Sequence, residues 1–221
     1  MSSIYRYTKI EYLLDLIKHA RLPMIDPTGW EDKNDIFALE KSMVANETIG
    51  ICCLTYSRKN SIYRWSKMSL VGISVRIEFD KNKIKERLKV DEHYRMKKVR
   101  YFNKKQLSEI RYKNKKDLAF VKHFSYEEEK EIRIVYREER TDNSQTKTPP
   151  SITTFLNDIP KDSIKGIRFS PYISKELVDF IKTPLLKLIK NNNWVFEENM
   201  ITHSKILDYP EWQDIVKEAV L

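Results

Sequence analysis

The chain predicts a single-domain α+β fold, and three observations carry that expectation. Stretches with the helical period alternate with β-rich stretches in no regular βαβ rhythm. At 221 residues the chain is long enough for one sizeable core without disulfides or metals. Charged residues make up 33% and hydrophobic residues 41%, a balance of soluble globular chains rather than disordered ones.

Ile4–Thr8 reads as a short strand. Thr8 then has the position of a helix cap, with Glu11 completing a capping box, and Ile10, Leu13, Leu14 and Ile17 recur on one helical face as far as His19. Leu22–Ile25 is a second extended piece, Asp26–Trp30 a turn cluster, and Glu31–Lys41 a loop or short helix. Thr48–Tyr56 is apolar and β-rich, as expected of a buried strand, and Ser57–Ser61 breaks it. Val71–Phe79 alternates at its end and predicts another strand; Asp80 caps a helix running to Leu88.

Lys97–Phe102 is a further strand, and Lys104–Val121 reads as a basic helix. Residues 80–122 therefore form a basic helical insertion. The stretch 138–150, rich in polar residues with two prolines at its end, reads as a mobile loop. Ser163–Phe169 is a strand. Lys175–Lys190 is an amphipathic helix that Pro184 should kink or break. Trp194–Glu197 and Met200–Leu207 read as strands, and Pro210–Val220 as a final helix with Trp212, Ile215, Val216 and Ala219 on one face.

Several chemistries are excluded by composition. The four glycines, Gly29, Gly50, Gly72 and Gly166, are too scattered for either common phosphate-binding loop. His19, His93, His123 and His203 have no partner at metal-ligand spacing, so no metal site is expected. Cys52 and Cys53 point to opposite faces of a strand, cannot pair with one another, and read as small buried hydrophobes in a reducing compartment. No apolar run approaches the roughly 18 residues of a membrane-crossing helix, and Met1–Arg6 has no apolar signal core. These features predict a cytoplasmic protein with no membrane partner.

The formal net charge of +9 is unevenly spread. Between Arg95 and Lys122 eleven Lys or Arg face only two acids, Glu109 and Asp117, and Tyr101, Phe102, Tyr112 and Phe120 are interleaved. That is the footprint of a nucleic-acid partner, RNA or DNA, or equally of a lysine-rich solubilising surface. The acids cluster next, in Tyr126-Glu127-Glu128-Glu129-Lys130-Glu131 ahead of Ile132-Arg133-Ile134-Val135-Tyr136. Placed on one strand, Glu129 and Glu131 project from the same face and repel. Alone, this pattern is a charge run on a solvated edge.

Companions elsewhere give the pair another meaning. Tyr5-Arg6 on the first strand, Leu54-Thr55-Tyr56-Ser57 closing a middle strand and Glu129-x-Glu131 opening a later one together resemble the ADP-ribosyltransferases of the cholera-toxin-like class. That class carries an arginine, a Ser-Thr-Ser-like strand and a Glu/Gln-x-Glu pair in this order; here Thr55 stands for the first serine. The chain also resembles a bacterial domain family of uncharacterised function through Tyr5-Arg6-Tyr7, Trp30-Glu31-Asp32, Cys53-Leu54-Thr55, Trp65 and Glu129-x-Glu131-x-Arg133, across roughly residues 4–207.

The resemblance implies a mixed, split β-sheet core with flanking helices and NAD as substrate. It implies Glu131 as the carboxylate that stabilises the ribosyl cation and Glu129 as the group that orients or deprotonates the acceptor. Arg6 and Thr55 would bind the cofactor or orient Glu131, with Ser57, Tyr7, Tyr63 and Trp65 lining the cofactor site. An intracellular enzyme of this kind resembles a toxin–antitoxin or phage-defence effector, which needs a neutralising antitoxin protein. Two rivals use the same residues. One is a non-catalytic nucleic-acid-binding module; the other is a metal-dependent nuclease with Glu129 and Glu131 joined by Asp32 or Asp35.

Overall fold

A computed structural model describes residues 3–69, 72–109, 114–139, 152–208, and 212, 215 and 216. Eleven strands and six helices are described. The strands are β1 (Ser3–Lys9), β2 (Leu22–Ile25), β3 (Glu47–Thr55), β4 (Ser74–Asp80), β5 (Tyr94–Lys98), β6 (Arg100–Phe102), β7 (Val121–His123), β8 (Glu131–Glu139), β9 (Ile152–Leu156), β10 (Ile164–Phe169) and β11 (Ile201–His203). The helices are α1 (Ile10–His19), α2 (Lys33–Ser42), α3 (Ile62–Ser69), α4 (Lys81–Lys89), α5 (Lys104–Glu109) and α6 (Lys175–Asn191).

Nine strands form one mixed sheet in the order β11-β10-β4-β1-β3-β2-β9, with β8 paired to β3 and β5 paired to β8. Two blocks are well knit. β1 and β4 pair along seven residues, and β3 and β8 along nine. Between the blocks the ladder is thin: β1 and β3 meet at a single register pair, Tyr5 opposite Thr55. β6 and β7 pair separately as a short parallel ribbon.

Alternation sets the two faces of this sheet. Ile4, Cys52, Leu54, Val75, Ile77, Phe79, Ile132, Ile134, Ile167 and Phe169 point to the back, where they form the main core with Leu13, Leu16 and Ile17 of α1 and Val178, Leu185 and Ile189 of α6. The front of the β3–β8 block is closed by a smaller core of Ile49, Ile51 and Val135 with Leu39, Ala119 and Phe120. β8 is consequently buried on both faces over its first seven residues. Gly50 sits where β3 passes under β2 and β9: a Cβ there would lie 2.9 Å from Met24 Cβ and 3.1 Å from Thr153 Cβ.

The sequence expectations hold for β1, α1, β2, β3, β4, α4 and β10. Others are corrected. Thr8 lies inside β1 and is buried, and the residue ahead of α1 is Lys9, with no side-chain cap. Of the two alternatives for Glu31–Lys41, the short helix is the one found: Asp32 starts α2 by accepting the Asn34 and Asp35 amides. The basic helix expected over 104–121 is not continuous: α5 covers Lys104–Glu109, Asn114 is extended, and Lys115–Phe120 is a 3-10 turn capped by Asn114. The apolar residues of that stretch lack a helical repeat, and Phe120 turns into the smaller core instead.

The helix α6 runs through Pro184 without a break. Trp194–Glu197 is not a strand, β11 is shorter than expected, and β9 went unforeseen. Glu138 and Glu139 belong to β8; the rest of the loop expected to 150 lies outside the described residues, as does most of the final helix. Trp212, Ile215 and Val216 are exposed. Among the described residues no helix is long and apolar enough to cross a membrane.

Candidate functional site

The Glu pair does not sit on one strand. Phe124–Glu129 winds as a 3-10 turn, Lys130 takes a left-handed conformation at φ 42°, and the strand starts at Glu131. What unites the two carboxylates is a lysine. Lys122 Nζ lies 2.8 Å from Glu129 Oε2 and 3.5 Å from Glu131 Oε2. The cation supplies what strand alternation was expected to supply, and it removes the repulsion between the acids.

Lys122 is part of a longer chain of charges. Arg133 is fully buried, and such a guanidinium is tolerated only when paired. Its Nε donates to Glu131 Oε1 at 2.7 Å and its Nη1 to Asp35 Oδ1 at 2.8 Å, with the Ala119 carbonyl accepting from the same Nη1 at 3.0 Å. Lys67 meets the outer end at Glu129 Oε1, 3.2 Å away. Asp35, Glu131 and Glu129 are thus interleaved with Arg133, Lys122 and Lys67. Burial alone would raise the Glu131 carboxyl, but Arg133 and Lys122 outweigh it and hold the group below its usual value. Burial would lower Lys122; Glu131, Glu129 and Asp35 raise it instead.

The turn that delivers Glu131 is pinned from both sides. Thr55 Oγ1 is 2.8 Å from the Glu129 carbonyl and 3.1 Å from that of Lys130. Arg64 Nη2 donates to the carbonyls of Glu128 and Glu129 at 2.8 and 2.7 Å. The Glu131 amide donates to the Tyr101 hydroxyl at 2.8 Å. Thr55 is therefore a register partner of Glu131 and holds the Glu129 and Lys130 carbonyls of the turn before it rather than the Glu131 carboxylate. Ser57 donates its amide to Thr55 Oγ1 at 3.1 Å and closes the end of β3.

Arg6 is placed differently from its companions. Tyr5 shares the front face with Thr55 and Glu131, so the next residue points to the back, opposite Ile77. Its guanidinium lies against the Cys52 thiol, and its Nη1 is buried with no hydrogen-bond partner. The structure brings Thr55, Glu129 and Glu131 together and leaves Arg6 on the other side of the sheet. Trp65 is fully buried, edge-on to Tyr7 at 4.8 Å, and its Nε1 donates to Asn60 Oδ1 at 2.6 Å. It is core, with no ring face to offer a ligand. Tyr7 hydroxyl reaches the Lys59 carbonyl at 3.4 Å, and exposed Tyr63 has Lys67 Nζ 4.6 Å above its ring.

The front face also carries what sequence reasoning missed. Lys122, Tyr101 and Arg64 complete the cluster without any sequence signal as site residues; Arg133 was signalled by the Glu-x-Glu-x-Arg spacing, and Asp35 was named only as a companion acid for a metal. Cys53, expected to be buried, is exposed beside Thr55, opposite Arg133, where β1 and β3 part. Enclosure by neighbouring groups and then the Glu131 charge push its thiol well above the ordinary value. Asp35 does converge with the Glu pair, as a metal site would need. Its oxygens and those of Glu131 are turned onto Arg133 and Lys122, and among the described residues no set of three metal-ligating side chains forms.

The front face continues across the split. Register partners place Glu131, Thr55, Tyr5, Glu78 and Gly166 in one row over β8, β3, β1, β4 and β10. Beside that row, on β4 and β10, a cavity of about 250 Å³ opens between Arg76, Glu78, Arg168, Asn199 and Thr202. Comparison with models of protein families, with curated proteins and with solved structures finds no match.

Proposed function

We propose that the chain is an NAD-consuming mono-ADP-ribosyltransferase, with Glu131 as the carboxylate that stabilises the ribosyl cation. The observation that carries this reading is the pairing of Thr55 with Glu131, both buried on the front face where β1 and β3 part, with the more exposed Glu129 tied to the same lysine. A carboxylate preorganised against a developing cation is the largest single contribution such a site can make. Arg133, held from behind by Asp35, keeps Glu131 ionised and fixes its orientation.

Lys122 Nζ lies 3.5 Å from Glu131 Oε2 and closer, at 2.8 Å, to Glu129 Oε2, so a ribose hydroxyl reaching Glu131 would have to displace it toward Glu129. Glu129, more exposed than Glu131, then faces the acceptor. The acceptor is a nucleic acid or a protein side chain. Exposed Arg95 and Lys98 lie on the adjacent edge strand β5, the kind of surface that collects phosphates. On this reading the activity is that of a toxin or phage-defence effector, restrained by an antitoxin protein. The resemblance requires Arg6 to converge with Thr55 and Glu131; its place on the opposite face of the sheet counts against this reading.

The test is transfer of label from NAD to RNA, DNA or lysate protein, with and without a divalent cation. Transfer lost in Glu131→Gln but kept in Arg6→Lys is the expected result. Magnesium-dependent cleavage of nucleic acid would favour the nuclease instead. Salt-sensitive nucleic-acid binding without label transfer or free nicotinamide would leave a binding module.

A further inference from the structure

Arg76 and Arg168 stand directly opposite one another on β4 and β10, on the same face. Like charges in that relation destabilise a sheet. Among the described residues neither guanidinium has a carboxylate within ion-pair distance. Arg76 Nη1 donates to the Arg58 carbonyl at 3.3 Å and Arg168 Nε to Thr202 Oγ1 at 3.2 Å. Arg76 is 6% exposed, with its guanidinium 4.8 Å from the Tyr5 ring centroid. Burial and then Arg76 hold Arg168 below its usual value. Two cations are thus placed opposite one another; the Tyr5 ring offsets part of the cost for Arg76, and among the described residues neither has a paired carboxylate.

They line the 250 Å³ cavity together with Thr202, Glu78, Lys165, which is paired with Asp80 at 2.9 Å, and Asn199, whose Nδ2 donates to Glu197 Oε2 at 3.4 Å and keeps a second N–H. Glu78 Oε1 accepts from the Tyr5 hydroxyl at 3.5 Å. Gly166, opposite Glu78, adds no side chain to narrow the opening. The volume lies just below the roughly 300–1,000 Å³ of drug-sized ligand pockets. It suits a diphosphate with part of a sugar better than a whole dinucleotide.

We infer that this cavity binds the diphosphate group of a small nucleotide. The planar forks of Arg76 and Arg168 take the phosphate oxygens, as arginines do with bidentate anions. Asn199 and Thr202 donate to the remaining oxygens, and Glu78 accepts from a ribose hydroxyl. The anion relieves the repulsion between the two arginines, so binding stabilises this block of the sheet. The site is separate from the Glu131 cluster and needs no bond to be broken.

Binding is measured by calorimetry and by thermal shift on the full chain, with inorganic pyrophosphate, ADP and a short single-stranded oligonucleotide as probes. Pyrophosphate and ADP are expected to raise the melting temperature of the wild type. In Arg168→Met they bind at least tenfold more weakly, while the unliganded variant melts no lower than the wild type. Thr202→Val, which keeps both charges, weakens binding by less. If Arg168→Met does not fold, Arg168→Lys serves, since a point charge cannot reproduce the fork and the same weakening is expected. No binding of pyrophosphate or ADP at millimolar concentration, or equal binding by wild type and variants, overturns the proposal. Binding of the oligonucleotide alone overturns it in favour of a polymer surface. Failure of NAD cleavage leaves these outcomes unchanged.

Discussion

Arg133 Nε and Glu131 Oε1, two residues apart on one strand, are 2.7 Å from each other and both almost wholly buried. Side chains at i and i+2 share a face, so β8 pairs them without help from any other element. The third partner, Asp35, comes from α2, 98 residues earlier in the chain. The cluster is therefore both an orienting device and a structural commitment.

Removing Arg133 should leave the two buried carboxylates of Asp35 and Glu131 with only Lys122, 3.5 Å from each and shared with Glu129. Arg133→Met is expected to lose about 3–5 kcal/mol of stability, the usual cost of breaking one side of a buried pair. Urea unfolding measures this. Arg133→Met combined with Asp35→Asn and Glu131→Gln should recover much of the loss, because no charge then remains stranded. If the triple variant is as unstable as the single one, packing rather than charge is responsible.

Stability should form a plateau in pH with shoulders set by this cluster. Glu131 has a folded value below its reference of 4.5, so its contribution is complete above that pH and fades as acid titrates the folded group. Lys122 has a folded value above its reference of 10.5, so its contribution is complete below that pH and fades in stronger alkali. Melting curves of Glu131→Gln should flatten the acid shoulder and those of Lys122→Met the alkaline one. Curves that superimpose on the wild type would sink this account.

Only one of the two adjacent cysteines should be reachable. Cys53 is exposed and Cys52 buried, so a thiol reagent is expected to label the native protein once, and not at all in Cys53→Ser. Labelling should be slow at neutral pH because the thiol is held well above its ordinary value, in part by the Glu131 carboxylate. Glu131→Gln removes that charge and should speed the reaction. Mass spectrometry of the labelled peptide decides both points.

Gly50→Ala should open the joint between β3 and the β2–β9 pair. Its added methyl would meet Met24 and Thr153 Cβ atoms at 2.9 and 3.1 Å, attached to strands that cannot give way as a flexible side chain can. A loss of about 1–3 kcal/mol is expected from overpacking of this kind, read as a lower denaturant midpoint with an unchanged slope.

The sequence by itself determined the elements whose pattern is local: the β1–α1 opening, the buried strand β3, the Asp80 cap of α4 and the amphipathic α6. Glu131 was singled out only through its resemblance-bearing companions Arg6 and Thr55, since the acidic run alone reads as solvated charge. Faces and partners were decided only by the tertiary structure. Register turned Arg6 to the back while its neighbour Tyr5 met Thr55, a one-residue difference that reverses which side a side chain serves. The left-handed turn at Lys130 separated Glu129 from the strand, and Lys122, within a stretch expected to be helical, brought the two acids back together. Charge pairing and strand order join residues from 14 to 98 positions apart around Arg133, and a local pattern carries no record of which distant segment a buried charge will meet.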